Sequence, residues 1–248
     1  NIEWYLKERP AVFGEDIHLV CKLPNETTCC DFYNRKWNVG TDSKVAVMNG
    51  LSLNKTKFSE ELNKIDHESI LTIKSFDEGD LNKPFQCVYG FFKYKSTLQL
   101  DNTRFEYHPD VNLPIEPEID GNNFTVKVVF EKVFPFPSCR AVVGLKNISS
   151  SLNISNKRKT LFYQSIITLN YAKSEEGCKG SLQVICKVGQ KVLKVVDYKK
   201  ACSNTQDHQP SSLSTGSIAV IVVFSTIGII CLIALVVCVR KLCGESTY

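Results

Sequence analysis

The sequence of 248 residues predicts an all-β protein with two tandem β-sandwiches, followed by a single transmembrane α-helix. Three observations predict this class. Short stretches of alternating apolar and polar residues, separated by turn-forming residues, recur up to about residue 200, and this period of two is typical of half-buried strands. Eight cysteines precede residue 203, and an apolar run without charge follows at 218–239.

The first domain is placed at residues 1–108. Alternation at 17–23, 69–73, 85–89 and 94–100 predicts four of its strands, with no helical period between them. The turn-forming residues that separate these stretches favour a β-sandwich over a mixed fold.

Five spaced elements occur in order within this domain: Cys21, Trp37, Leu71-Thr72-Ile73, Asp77-x-Gly79 and Cys87. The segment resembles an immunoglobulin domain of variable or intermediate type. The resemblance implies two packed antiparallel sheets, a disulfide from Cys21 to Cys87 between them, and Trp37 in the core.

The match departs from the family in three places. Phe85 stands where the family has a tyrosine, and residues 80–84 lengthen the connection that precedes it. Cys29 and Cys30 are additional cysteines. They could bridge each other, another segment or a second chain, and the sequence does not choose among these pairings.

The second domain is placed at residues 109–202, after a proline-rich linker. Strands are predicted at 124–134, 139–144, 161–169, 181–188 and 191–196, and the polar segment 146–159 is predicted to be a loop. The resemblance to an immunoglobulin domain is weaker here, because no tryptophan follows Cys139. Four cysteines allow three pairings, of which Cys139–Cys186 with Cys178–Cys202 is favoured.

The segment after residue 202 predicts membrane attachment. Residues 203–217 are rich in hydroxyl side chains and predict a flexible stalk. The 22 residues of 218–239 would span about 33 Å as a helix, which matches the hydrocarbon core of a bilayer. Arg240 and Lys241 follow directly, so the tail 240–248 is expected in the cytoplasm. Because the chain begins at Asn1, we expect a secretory signal peptide to have been removed.

Five Asn-x-Ser/Thr sequons lie on the predicted extracellular side, at Asn25, Asn54, Asn123, Asn147 and Asn153. Each used sequon would mark an exposed position, and we expect most of them to carry sugar. The sequons and the even cysteine set both favour an exported, oxidised and glycosylated ectodomain.

Several function classes are disfavoured. A net charge of +4 is too small to indicate a nucleic-acid partner. The sequence has no nucleophile elbow, no phosphate-binding glycine loop and no His/Cys set at metal-ligand spacing. We therefore expect no catalytic residue, no metal, no cofactor and no small-molecule substrate.

The segment after Cys87 is the best candidate for partner binding. If Cys87 points inward, Gly90 begins a turn and at least one of Phe91, Phe92 and Tyr94 faces water. Exposed aromatic side chains between lysines are typical interface anchors. The same hairpin commonly binds partners in the immunoglobulin family, so the resemblance favours this site.

Taken together, the sequence predicts a type I cell-surface receptor at the plasma membrane that binds a cell-surface or extracellular protein, a second copy of itself included. Immune recognition and cell adhesion are not separated by these residues. The alternative is an accessory subunit that associates laterally with a channel or larger receptor. In the tail, Cys243 is either a palmitoylation site or an ordinary reduced thiol.

Overall fold

The computed structural model describes residues 2–24, 30, 32–172 and 180–199. Within this part of the chain the regular structure is β-strand, apart from three-residue 3-10 helices at Glu78–Asp80 and Ser149–Ser151. The all-β prediction is therefore confirmed.

The predicted stalk, transmembrane helix and tail, at 203–217, 218–239 and 240–248, lie outside the described residues. No helix within the described ranges is long and apolar enough to cross a membrane.

The first sandwich is built from short strands: β1 Glu3–Leu6, β2 Ala11–Val12, β3 Ile17–Lys22, β4 Arg35–Val39, β5 Lys44–Met48, β6 Leu51–Ser52, β7 Phe58–Asn63, β8 Glu68–Ile73, β9 Pro84–Tyr89, β10 Phe92–Thr97 and β11 Phe105–Glu106. One antiparallel sheet has the order β1-β3-β8-β7, and the facing sheet has the order β10-β9-β4-β5-β6. Strands β2 and β11 form a separate parallel pair.

The core of the first sandwich has the arrangement that the resemblance implies. Cys21 in β3 and Cys87 in β9 form a disulfide between the two sheets, with 6.4 Å between their Cα atoms. Trp37 in β4 is fully buried beside them. Phe85 is also fully buried, and its carbonyl oxygen accepts a hydrogen bond from Trp4 Nε1 at 3.0 Å. The family's tyrosine is thus replaced by a ring that packs without a hydroxyl group.

The turn predicted at 77–79 is the start of the first 3-10 helix. The Asp77 side chain accepts from the Gly79 N–H, and the Asp80 side chain accepts from the Asp77 N–H, so the two form a capping box. Lys57 Nζ lies 2.5 Å from Asp80 Oδ2 and 3.0 Å from Asp77 Oδ2.

These contacts shift the pKa values of Asp77 and Lys57. The hydrogen bond from Lys57 lowers the pKa of Asp77, supported by the Gly79 N–H. Burial opposes the charge of Lys57, but its hydrogen bonds to Asp80 and Asp77 outweigh that effect and raise the pKa of the amine.

The second sandwich follows with longer strands: β12 Glu118–Asp120, β13 Asn123–Val133, β14 Ser138–Val143, β15 Lys146–Asn147, β16 Leu152–Lys159, β17 Phe162–Ala172, β18 Leu182–Val188 and β19 Lys191–Tyr198. Its sheets have the orders β12-β13-β17-β16 and β15-β14-β18-β19. Alternation along β13 buries Phe124, Val126, Val128 and Phe130 against the facing sheet, as the period of two predicts.

The prediction of a loop at 146–159 was wrong. This segment holds β15, the second 3-10 helix and β16, which pairs with β17 along its whole length. Strand β16 is at the edge of its sheet, and most of its side chains are exposed. An edge strand with one solvated face has few apolar residues, so its alternation is weak. Exposed Lys157, Arg158 and Lys159 also oppose edge-to-edge pairing with another sheet.

The predicted Cys139–Cys186 disulfide is confirmed, but it lies within one sheet. Cys139 in β14 is directly opposite Cys186 in β18, with 4.0 Å between their Cα atoms. The disulfide of the second sandwich therefore joins two neighbouring strands of one sheet, whereas the disulfide of the first joins the two sheets. Cys178 and Cys202 lie outside the described residues, and Cys30 is disulfide-bonded.

Both sandwiches belong to one compact unit, Asn1–Cys202, and pack against each other through aromatic rings. The Phe162 ring of β17 lies 4.9 Å from both Phe13 and Tyr107 of the first sandwich. Lys132 of β13 places its Nζ 4.4 Å from the Tyr107 ring centre and 4.5 Å from that of Phe162, and it pairs with Glu78. We call this contact the joint.

A buried carboxylate also links the two sandwiches. Glu106 Oε1 accepts the N–H of Gln190 at 2.7 Å, and its Oε2 lies 2.7 Å from His108 Nε2. A Cβ at Gly189 would overlap this carboxylate, so the β18–β19 turn needs glycine there. The joint thus combines apolar packing with a hydrogen bond from the second sandwich.

Candidate partner-binding surface

The β9–β10 hairpin is placed at the end of the first sandwich that is opposite the joint. Strand β9 begins after the 3-10 helix near the joint and ends at Tyr89, where a two-residue turn, Gly90-Phe91, leads into β10. Gly90 has φ of +57°, and a Cβ there would lie 2.7 Å from Tyr33 Cγ. Only glycine fits this turn without displacing the tyrosine ring.

Three aromatic residues meet at this end. The Tyr33 ring lies 5.0 Å from Phe32, 6.2 Å from Phe91 and 5.4 Å from the buried Tyr89, in each case edge to face. Phe91 is 92% exposed and Phe32 is 76% exposed. We call Phe32, Tyr33 and Phe91 the aromatic tip. Two large apolar side chains in water, each packed edge to face on a third that contacts the core, form an exposed apolar cluster.

The other two predicted site residues lie on a different side of the hairpin. Phe92 pairs with Tyr89 and Tyr94 pairs with Cys87, so both share the face that points toward the interior. They stay 38% and 36% exposed because β10 is an edge strand. Tyr94 packs edge to face on Trp4, at 6.3 Å. The structure therefore separates Tyr94 from the aromatic tip.

Sequence reasoning missed Phe32 and Tyr33. They lie in the connection between β3 and β4, far from Phe91 in the chain, and only the antiparallel register of β4 and β9 brings them together. The available signal was two adjacent aromatic residues in a polar connection outside any alternating stretch.

A buried polar network fixes the backbone under the tip. Trp37 Nε1 donates to Ser69 Oγ at 2.9 Å, and Ser69 Oγ donates to Glu60 Oε1 at 2.5 Å. Arg35 Nε donates to the same Glu60 oxygen at 3.2 Å, while the Gly50 N–H donates to Glu60 Oε2 at 2.7 Å. The Glu60 side chain is 1% exposed, so its charge is satisfied entirely by these donors.

The network reaches both neighbouring connections. Arg35 also donates to the Cys30 carbonyl oxygen at 3.2 Å, in the β3–β4 connection, and Gly50 lies in the β5–β6 turn. The strands beneath the tip are therefore joined by hydrogen bonds as well as by packing.

The outward face of the five-stranded sheet adjoins the tip. Trp37, Cys87 and Val47 point inward, so their neighbours along each strand point outward. Cross-strand pairing aligns one outward row across all five strands: Leu51, Met48, Lys36, Val88 and Lys93. We call the outward side of this sheet the outer face. It combines exposed apolar side chains with lysines.

The described sequon asparagines, Asn54, Asn123, Asn147 and Asn153, are all exposed, as glycosylation requires. Asn25 lies outside the described residues, as does Cys243. Within the described ranges, no group of three or more His, Cys, Asp or Glu side chains is arranged to hold a metal ion.

Comparison with known proteins gives a structural match only. No family model and no curated protein matches the sequence. Among solved structures, the full ectodomain (Ig1–Ig3) of mouse nectin-like molecule 4 superposes with a TM-score of 0.50 at 12% identity. That match covers 75% of this chain and 64% of the mouse chain, so this chain spans just under two thirds of that ectodomain.

Two further structures are similar at 12% identity. Bovine butyrophilin superposes with a TM-score of 0.49 over 79% of this chain and 97% of its own, and the D1–D2 region of Rst with 0.48 over 77% and 95%. The chain has the immunoglobulin fold. This is shown by the nectin-like match, the paired antiparallel sheets, the Cys21–Cys87 disulfide between the sheets and the buried Trp37.

Proposed function

We propose that this chain is a type I membrane glycoprotein that acts as a cell-surface recognition or adhesion receptor, and that its first sandwich binds a protein partner. The observation that supports binding most directly is the aromatic tip. Phe91 and Phe32 are exposed at 92% and 76%, and both rings lie edge to face against Tyr33. Rigid aromatic anchors lose little conformational entropy on binding and are enriched among interface hot spots.

Extracellular placement is supported by independent chemistry. The Cys21–Cys87 and Cys139–Cys186 disulfides need an oxidising compartment. The exposed sequon asparagines offer acceptor sites, and the apolar run at 218–239 ahead of Arg240 and Lys241 offers a membrane anchor. Function in this proposal is recognition by surface complementarity, with no chemical turnover.

Two measurements test membrane placement. The full chain, expressed in mammalian cells, is expected to stain with an antibody to the first sandwich without permeabilisation. Its electrophoretic mobility is expected to increase after enzymatic removal of N-linked sugar. A chain that stays in the cytosol without sugar would contradict the proposal.

A binding screen tests the recognition role. Cells displaying the full chain are probed with an arrayed library of multimerised cell-surface ectodomains, this chain's own ectodomain included. We expect Phe91→Ala and Phe32→Ala each to weaken the binding found by about tenfold or more, as hot-spot truncations do. Leu145→Ala, which removes a fully exposed leucine from the second sandwich, is the matched control and should change nothing.

The outcome also separates the alternative role. If the chain instead copurifies with a multi-span membrane protein, and does so after deletion of the first sandwich, it is an accessory subunit. The tip variants would then leave complex formation unchanged.

A further inference from the structure

The two sheets of the first sandwich differ in charge. None of the five strands β4, β5, β6, β9 and β10 contains an aspartate or glutamate, although they hold five cations: Arg35, Lys36, Lys44, Lys93 and Lys95. The opposite sheet contains four glutamates, Glu3, Glu60, Glu61 and Glu68, and one lysine, Lys22. The contrast extends over whole sheets, so it is not the result of one local ion pair.

The register decides which of these cations meet solvent on the outer face. Lys36 and Lys93 both pair with Val88, and Lys95 pairs with Gln86, so all three point outward. Arg35 instead turns inward to Glu60. Among the described residues, no carboxylate lies within ion-pair distance of Lys36, Lys93 or Lys95, whereas Lys44 lies 3.9 Å from Asp42.

Apolar side chains lie in the same row as these lysines. Leu51 and Met48 are exposed and Val88 is half-buried, so the row changes from apolar at the β6 edge to basic at the β10 edge. This surface has an apolar part, and its lysines are not paired with any carboxylate of the described residues. It fits a partner that is apolar opposite Leu51 and Met48 and acidic opposite the lysines.

The same pattern disfavours a second copy of this chain on this face. A two-fold dimer through this face places the same patch on both subunits, so the interface would hold Lys36, Lys93 and Lys95 from each copy and no carboxylate from these five strands to compensate them. Like charges brought together in this way oppose association, whereas an acidic partner is attracted from a distance and associates faster.

We infer that the outer face binds a different protein whose contacting surface is acidic, and that recognition through this face is heterophilic. This inference rests on the proposed function, because it names the kind of partner that the first sandwich takes. We therefore expect binding to weaken when added salt screens the lysines and shortens the Debye length from about 10 Å to about 3 Å.

The test uses the full chain on mammalian cells and the ectodomain library of the screen described above, with the chain's own ectodomain as one probe. For each probe that binds, association rates are measured with Lys93→Glu, with Lys36→Glu and with the control Lys7→Glu. Lys7 is exposed and follows β1 in the other sheet, so its reversal changes the net charge of the sandwich equally.

The inference expects a probe with an acidic surface whose association rate falls at least about tenfold with Lys93→Glu and with Lys36→Glu, and little with Lys7→Glu. Surface display, measured with an antibody, confirms folding of each variant. A probe whose binding is lost with Phe91→Ala but unchanged by both outer-face reversals overturns the inference and leaves the proposed function standing. Self-binding that depends on Lys36 or Lys93 overturns it as well. If no probe binds through the first sandwich, both fail.

Discussion

The two sandwiches share a fold but place their disulfides differently. In the first, Cys21–Cys87 joins the two sheets beside the buried Trp37. In the second, Cys139–Cys186 joins β14 and β18, which backbone hydrogen bonds already hold together. The Cys139–Cys186 bond therefore does not tie its two sheets to each other, and the apolar core must do so. One architecture thus tolerates two positions of the cross-link.

Loop closure alone does not distinguish the two bonds. Their sequence separations are 66 and 47 residues, and the chain-entropy relation gives about 4 kcal/mol for each. Any difference in stabilisation between the two bonds must therefore arise in the native state, in which Cys21, Cys87 and Cys186 are buried and Cys139 is partly exposed. Both tryptophans, Trp4 and Trp37, are in the first sandwich, so tryptophan fluorescence reports its unfolding separately.

The largest effect is expected from Cys21→Ala with Cys87→Ala. This pair should lower the free energy of unfolding by about 4 kcal/mol from loop entropy, and by a further 1 kcal/mol or so from the cavity beside Trp37. Urea unfolding followed by tryptophan fluorescence measures the change. A loss below about 2 kcal/mol would mean that packing around Trp37 holds the sheets without the bond.

A smaller effect is expected from Cys139→Ala with Cys186→Ala. We expect a loss of about 4 kcal/mol with a smaller cavity contribution than in the first pair, because Cys186 is buried but Cys139 is partly exposed. Far-UV circular dichroism, which reports both sandwiches, follows the transition in urea. If this pair costs more than the first pair, the position of the bond in the sheet matters more than burial.

The joint should couple the two sandwiches more weakly. Lys132→Ala removes contacts with Tyr107 and Glu78 of the first sandwich, and should lower the stability reported by tryptophan fluorescence by about 1 kcal/mol. Lys127→Ala, on the same strand and exposed, is the control. An unchanged fluorescence transition in Lys132→Ala would contradict a stabilising contribution of Lys132 across the joint.

The smallest effect is a pH dependence from Asp77. Its pKa is lowered in the folded state from the ordinary 3.8, so its contribution to stability is present above that value and is lost as pH falls through the lower folded value. Urea titrations between about pH 5 and pH 2 should show a shallower decline for Asp77→Asn than for the natural chain. The control Leu145→Ala removes an exposed side chain without a charge and should leave the slope unchanged.

Local sequence predicted the strands that bury one face against a core. The stretches 17–23, 69–73, 85–89 and 124–134 all appear as strands within a residue or two of their predicted bounds, because alternation reflects the geometry of a single strand. Strand β16 was missed because it lies at the edge of its sheet and has few apolar side chains, so it shows little alternation. Its pairing with β17 cannot be predicted from the residues of β16 alone.

The candidate site divides in the same way. The sequence predicted that at least one of Phe91, Phe92 and Tyr94 faces water, because Gly90 begins a turn after the inward Cys87, and Phe91 is the most exposed of the three. Phe32 and Tyr33 were not predicted, because their proximity to Phe91 depends on the register between distant strands. The basic outer face was likewise not visible in the sequence, because the five strands that lack aspartate and glutamate are separated in the chain and form one face only when they pair.

The sequence by itself determined the β class, the spacing of the first-sandwich motif and the apolar run at 218–239, since each depends on residue type and on separation along the chain. The tertiary structure decided that the second disulfide lies within a sheet, that three aromatic residues meet at the tip, and that lysines from separate strands share one face. Such features depend on which strands become neighbours and in which register, and that choice follows from packing of the whole core.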